Sequence, residues 1–149
     1  MKMKSRCMAM ALLLPILAGC TQYNGYIGPI FGSWSLVGIA EDGDQLELTD
    51  ETVFSFQNEI VQVVRLDDPP FEITVRYGNF TITESVLTMK FQNLPTLTGS
   101  HMYMTPYWLH FPPDGKPIEF EIRKLTGSEM CLVLDNDGIL YEYSFKKTW

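Results

Sequence analysis

The sequence predicts an all-β protein with antiparallel strands. Past residue 20, apolar residues recur at every second position, turn-forming residues separate the runs, and no stretch of ten or more residues carries a 3.6-residue period. The first run is SWSLVGIA (33–40), followed by TVFSF (52–56) and IVQVVRL (60–66). FEITVRY (71–77) sets Phe71, Ile73, Val75 and Tyr77 on one face and Glu72, Thr74 and Arg76 on the other. The apolar face is expected inward. NFTIT (79–83) and VLTMKF (86–91) come next. PIEFEIR (117–123) opposes Ile118, Phe120 and Ile122 to Glu119, Glu121 and Arg123. MCLVL (130–134) and LYEYSFK (140–146) close the series, the latter with Tyr141, Tyr143 and Phe145 on one side. Turn sequences stand at Gln57-Asn58, Asp67-Asp68-Pro69-Pro70, Gly78-Asn79, Glu84-Ser85, Thr126-Gly127-Ser128 and Asp135-Asn136-Asp137-Gly138. About eight or nine short strands in sequence order fit either an up-and-down barrel or a two-sheet sandwich.

The N-terminus is organised differently. Residues 1–6 carry Lys2, Lys4 and Arg6 and no acid, and residues 7–17 are apolar throughout. A basic segment before a short apolar one has the form of a secretory signal. The apolar part is too short to span a bilayer as a helix, which needs roughly 20 residues. Leu17-Ala18-Gly19-Cys20 resembles the lipobox of bacterial lipoproteins. The resemblance implies a diacylglycerol on the Cys20 thiol, cleavage between Gly19 and Cys20, and acylation of the new amino terminus. Several acyl chains suffice for stable membrane attachment. The expected organisation is a signal peptide at 1–19, a lipidated tether at 20–30 and a β-domain at 31–149. Thr21, in place of Asp, implies by the sorting habit of lipoproteins a lipid-anchored place in the outer membrane, with the periplasmic face favoured over the surface.

Net charge is −7, and removing the signal takes away three basic residues and no acid, so the mature chain carries −10. So acidic a chain matches neither nucleic acid nor an anionic membrane surface. Cys7 leaves with the signal and Cys20 is modified, so Cys131 alone remains and no intramolecular disulfide can form. In its apolar run it reads as a buried, inert thiol.

FGSWSLVGI (31–39) places Gly32-x-Trp34 at the start of the first strand of the domain, which resembles the G-x-W entry of lipocalin and wider calycin barrels. YGNFTITESVLTMKF (77–91) and the closing IEFEIRKLTGSEMCLVLDNDGILYEYSFKK (118–147) resemble the corresponding parts of bacterial lipocalin-like lipoproteins. Together the resemblance spans residues 31–147. It implies an up-and-down barrel with Gly32 and Trp34 as structural residues closing one end. A late basic residue packs over the tryptophan in that family, with Arg123, Lys146 and Lys147 as candidates here. The short helix that follows the barrel in lipocalins has no counterpart in this sequence.

An eight-stranded barrel is just wide enough to be filled by side chains or to hold one small ligand. Phe71, Phe80, Phe120, Tyr141, Tyr143 and Phe145 are bulky enough to fill it. The segment NLPTLTGSHMYMTPYWLHFPPDGKP (93–117) breaks the strand rhythm and holds Tyr103, Tyr107, Trp108 and both histidines. It reads either as a ligand or partner surface centred on those three aromatics, or as a strand, HMYMTPYWLHF, with its aromatics in the core. Pro106 within it fits an edge or open loop.

Catalytic patterns are lacking. His101 and His110 have no third partner at metal spacing. Ser100 and His101 are sequence neighbours, which does not make a triad. Asp135-x-Asp137-Gly138 resembles the opening of a calcium loop, but Lys146 stands where its twelfth-position Glu belongs. The sequence therefore points away from an enzyme and from a metal or cofactor. Two functions remain: a carrier of a small hydrophobic ligand at the bacterial cell envelope, or a non-catalytic protein-interaction module with a filled barrel.

Overall fold

The computed structural model describes residues 28–67, 73–95 and 101–149, without the side chains of 95 and 101–103. The signal peptide, Cys20 and most of the tether at 20–30 lie outside the described residues, as does Phe71.

The strands are β1 (Gly32–Glu41), β2 (Asp44–Gln45), β3 (Glu51–Gln57), β4 (Ile60–Leu66), β5 (Ile73–Ile82), β6 (Val86–Phe91), β7 (Asn93–Pro95), β8 (His101–Tyr103), β9 (Ile118–Leu125), β10 (Glu129–Asn136) and β11 (Ile139–Lys147). Eight of them run β1-β3-β4-β5-β6-β9-β10-β11 around a closed antiparallel barrel, because β11 pairs back onto β1. The two-residue β2 is an extra strand beside β1, and β7 pairs with β8 as a separate ribbon between β6 and β9. One 3₁₀ turn, Tyr107–Leu109, is the helical content of the described residues. The closed barrel decides between the two architectures that the strand pattern allowed.

Three hairpins turn through two residues, both with positive φ: Asp42-Gly43, Asn58-Glu59 and Asp137-Gly138. This backbone twist matches that of the flanking strands. The barrel interior is the core. Trp34, Phe54, Phe56, Val61, Val63, Leu87, Met89, Phe120, Leu132 and Tyr143 are essentially without solvent contact. Phe80, Tyr141 and Phe145 are buried with them, as the alternation predicts.

The structure corrects the reading of 71–83. Gly78-Asn79 is no turn; β5 runs unbroken from Ile73 to Ile82. Gly78 serves a close approach instead, since a Cβ there would stand 2.7 Å from the Lys90 carbonyl oxygen. Without a turn to reset the alternation, Phe80, paired with Met89 inside the barrel, dictates the facing of the whole strand. Thr74, Arg76 and Gly78 therefore point inward, and Ile73 (67% exposed) and Tyr77 (45%) point out. The apolar face expected inward is the outer wall, and an arginine stands inside.

The barrel closes at the start of β1. Trp34 is fully buried, and its indole Nε1 donates to the Ile30 carbonyl at 2.7 Å. Of the three basic candidates, Lys147 is the one over the ring, with Nζ 5.0 Å from the centroid and donating to the Pro29 carbonyl. Gly32, at φ +113, packs against the backbone of Trp149, where a side chain has no room. Ser33 and Trp149 join their backbones across the seam at 2.9 Å.

Candidate functional site

The segment expected as either a surface or a strand is neither a continuous strand nor a free loop. Met104 anchors it by donating its N–H to the Gln92 carbonyl, and Pro106 opens the 3₁₀ turn. Beyond that turn the chain enters the barrel. Leu109 and Phe111 are buried, the latter packed against Phe91, Phe120 and Tyr143 at 5.2–6.1 Å between ring centres. The Tyr143 hydroxyl donates to the Leu109 carbonyl at 2.6 Å, in the core. Burial, and then the neighbouring Tyr141, push that phenol far above its ordinary pKa, so it stays a donor. His110 takes the left-handed conformation (φ 59), stacks flat on Tyr141 at 4.9 Å, and accepts at its carbonyl from Asn136 Nδ2. Residues 109–111 are thus a stopper for one end of the barrel, with Leu109 and Phe111 among the buried core side chains.

A cleft lies open beside the stopper. It has a volume of about 310 Å³ and lies between the chain after β2 and the 3₁₀ turn. Leu36, Ile39, Leu46, Leu48, Trp108 and Leu109 give it an apolar lining, with Glu47, Thr49 and Asp50 on its rim. That is the lower end of the size range of small-molecule sites. Trp108 forms one wall and meets Tyr107 edge-to-face at 5.3 Å. Tyr107 itself is 65% exposed. The structure thus brings together two of the three aromatics singled out in the sequence; the Tyr103 side chain lies outside those described. Gly32 and Trp34 are far off in function as well as in place, at the closed end.

Sequence reasoning missed the polar side of this mouth. Arg65 on β4 and Arg76 on β5 point inward against the Trp108 ring, with guanidinium carbons 4.9 and 5.8 Å from its centroid. Arg65 Nη2 donates to Asp67 Oδ2 at 2.7 Å, and Asp50 lies 3.9 Å from its Nε. The Asp67 carboxylate holds this guanidinium above its ordinary pKa, so the charge is permanent. Arg76 donates from Nη1 to the Val75 carbonyl. Arg76 Nε and Trp108 Nε1 are buried and have no hydrogen-bond partner among the described residues. The only available signal was the parity of β5, which the assumed turn at Gly78 concealed.

Cys131 faces the outer wall half-buried and unpaired. Burial, then the Glu142 carboxylate, pushes its thiol above the ordinary range. Among the described residues, no three His, Cys, Asp or Glu side chains stand together as a metal site.

No protein-family model matches the chain, and no curated protein matches it. Solved structures do. A lipocalin-like protein from Bacteroides uniformis superposes with a TM-score of 0.58 at 21% identity, covering 80% of this chain and 99% of that one. An uncharacterized protein from Bacteroides eggerthii gives 0.57 at 16% identity, over 78% of this chain and 98% of its own. At these identities the likeness concerns the fold alone: the described domain is a β-barrel of lipocalin-like fold.

Proposed function

We propose that this chain is a lipid-anchored binding protein of the bacterial cell envelope, without catalytic activity, that takes a small hydrophobic molecule at the stoppered mouth of its barrel. The observation that carries the reading is the apolar cleft of about 310 Å³ between Leu46, Leu48 and Trp108. Its ligand lies beside the stopper. The lipobox-like tetrad ending in Cys20 supports the anchor, and Thr21 supports the outer membrane, periplasmic face.

Native mass spectrometry of the full chain with Cys20→Ser, after incubation with an envelope lipid extract, tests the binding. A retained small-molecule adduct that Trp108→Ala loses is the expected result; a bare mass across extracts refutes it. Palmitate labelling of the wild type, absent in Cys20→Ser, is expected for the anchor.

One observation favours the other reading, a protein-interaction module. Tyr107, Ile73 and Tyr77 stand exposed on the outside of the barrel. A bare mass together with a defined protein partner lost in Tyr107→Ser is the result that reading requires.

A further inference from the structure

The chemistry behind Trp108 narrows the class of ligand, on the footing of the binding reading above. In the β4–β5 pairing, Val63 faces Arg76 and Arg65 faces Thr74, so the two arginines are diagonal neighbours on the inner face. Their charges are differently matched. Arg65 has Asp67 and Asp50. Arg76 has, among the described residues, no acid within ion-pair distance and a single hydrogen bond, to the carbonyl of its own neighbour. Its Nε and the Trp108 Nε1 are buried donors without acceptors among the described residues. Native proteins leave few such groups, because a buried donor without a partner forfeits its hydrogen bond to water, and an unmatched buried charge loses more. Two of them side by side, on groups whose centres are 5.8 Å apart, want the same thing: an acceptor carrying negative charge.

We propose that the ligand of this mouth has an apolar body and an anionic group, a carboxylate or a phosphate, with the apolar body in the cleft and the anion held by the Arg76 guanidinium and the Trp108 indole N–H. Guanidinium geometry suits both oxyanions. Trp108 belongs at once to the cleft wall and to the arginine stack, so an occupant of the cleft that reaches past the indole meets Arg76. Glu47 also lines the cleft, and Asp50 is engaged with Arg65 at 3.9 Å, which leaves Arg76 as the cation open to an anion. Arg65, tied to Asp67, positions the indole.

Isothermal titration of the full chain with Cys20→Ser, using dodecanol, dodecanoate and dodecyl phosphate below their micellar concentrations, tests this. Both anions are expected to bind at least ten-fold more tightly than dodecanol. Arg76→Met is expected to bring them down to the alcohol's level. Whichever anion is the tighter names the head group. Trp108→Phe keeps the ring and removes the N–H, and is expected to weaken both anions several-fold; it decides the matter if Arg76→Met fails to fold. Equal binding of all three compounds, or an anion preference that survives these substitutions, overturns the anionic class and leaves the binding reading standing. Binding of none of the three overturns both.

Discussion

Tyr143→Phe removes one oxygen atom from the molecule and tests what holds the stopper. The hydroxyl donates to the Leu109 carbonyl at 2.6 Å, and Leu109 is 1% exposed, so water cannot replace it. The phenylalanine ring keeps the contacts with Phe111 and Phe120. The loss is then that of a buried acceptor left without a partner, about 1–3 kcal/mol at pH 7. For a chain of this size each kcal/mol lowers Tm by roughly 2–4 °C. The pH dependence makes the test sharper. The folded-state pKa of Tyr143 is raised far above that of an unfolded tyrosine, about 10, so between these values the unfolded chain alone releases the proton. The stability is fully present below pH 10 and is lost as pH rises. At pH 11 the wild type has lost about 1.4 kcal/mol through this one group, and Tyr143→Phe none. Urea unfolding of both proteins at pH 7 and pH 11 should show the gap shrink by that amount. A gap below about 0.3 kcal/mol at pH 7 would refute the role of the bond, and a gap unchanged at pH 11 would refute the buried, protonated phenol.

Three further outcomes are expected. Trp34→Ala should cost about 3–5 kcal/mol in urea unfolding, and Lys147→Met about 0.5–2 kcal/mol, the cation over the indole face being the smaller part of the closure. Gly78→Ala should destabilise by about 1–3 kcal/mol, since its Cβ meets backbone and not a side chain that can move; the same substitution at Gly127, where the space is open, provides the control. Cys131, with its thiol pKa raised, should alkylate at pH 8 more slowly than free cysteine in peptide-mapped labelling, and catch up only as pH rises well above 9.

Much of the barrel was legible because alternation survives wherever a hairpin has a strong turn. Asp137-Gly138 takes positive φ at both positions, and the strands on either side, β10 and β11, lie where the pattern placed them. The failure at β5 has one cause. Gly78-Asn79 has the composition of a turn, but this glycine serves the close approach of β6, and composition does not distinguish the two uses. One false turn inverted the strand, exchanging Arg76 for Tyr77 at the inner face. The cleft was partly legible: Tyr107 and Trp108 were singled out for their residue type. Their neighbours Leu46 and Leu48 come from a stretch more than fifty residues away, and nothing local joins them. The stopper was hidden for the same reason, since Phe111 looks like any loop aromatic until Phe91 and Tyr143 are brought around it.

The seam between β1 and β11 has a kinetic consequence. Every other pairing in the barrel joins strands that follow one another along the chain, save for the short β2 between β1 and β3 and the excursion between β6 and β9. Closing the cylinder alone requires the two ends of the domain to meet, as in the Thr148–Ser33 hydrogen bond across 115 positions. Loop-closure entropy opposes that step until the hairpins have shortened the effective loop. The folding route runs from local hairpins to an open curled sheet and then to the ring. Unfolding starts in reverse, at the seam, so amide exchange in Ser33–Leu36 should report the first opening of the barrel.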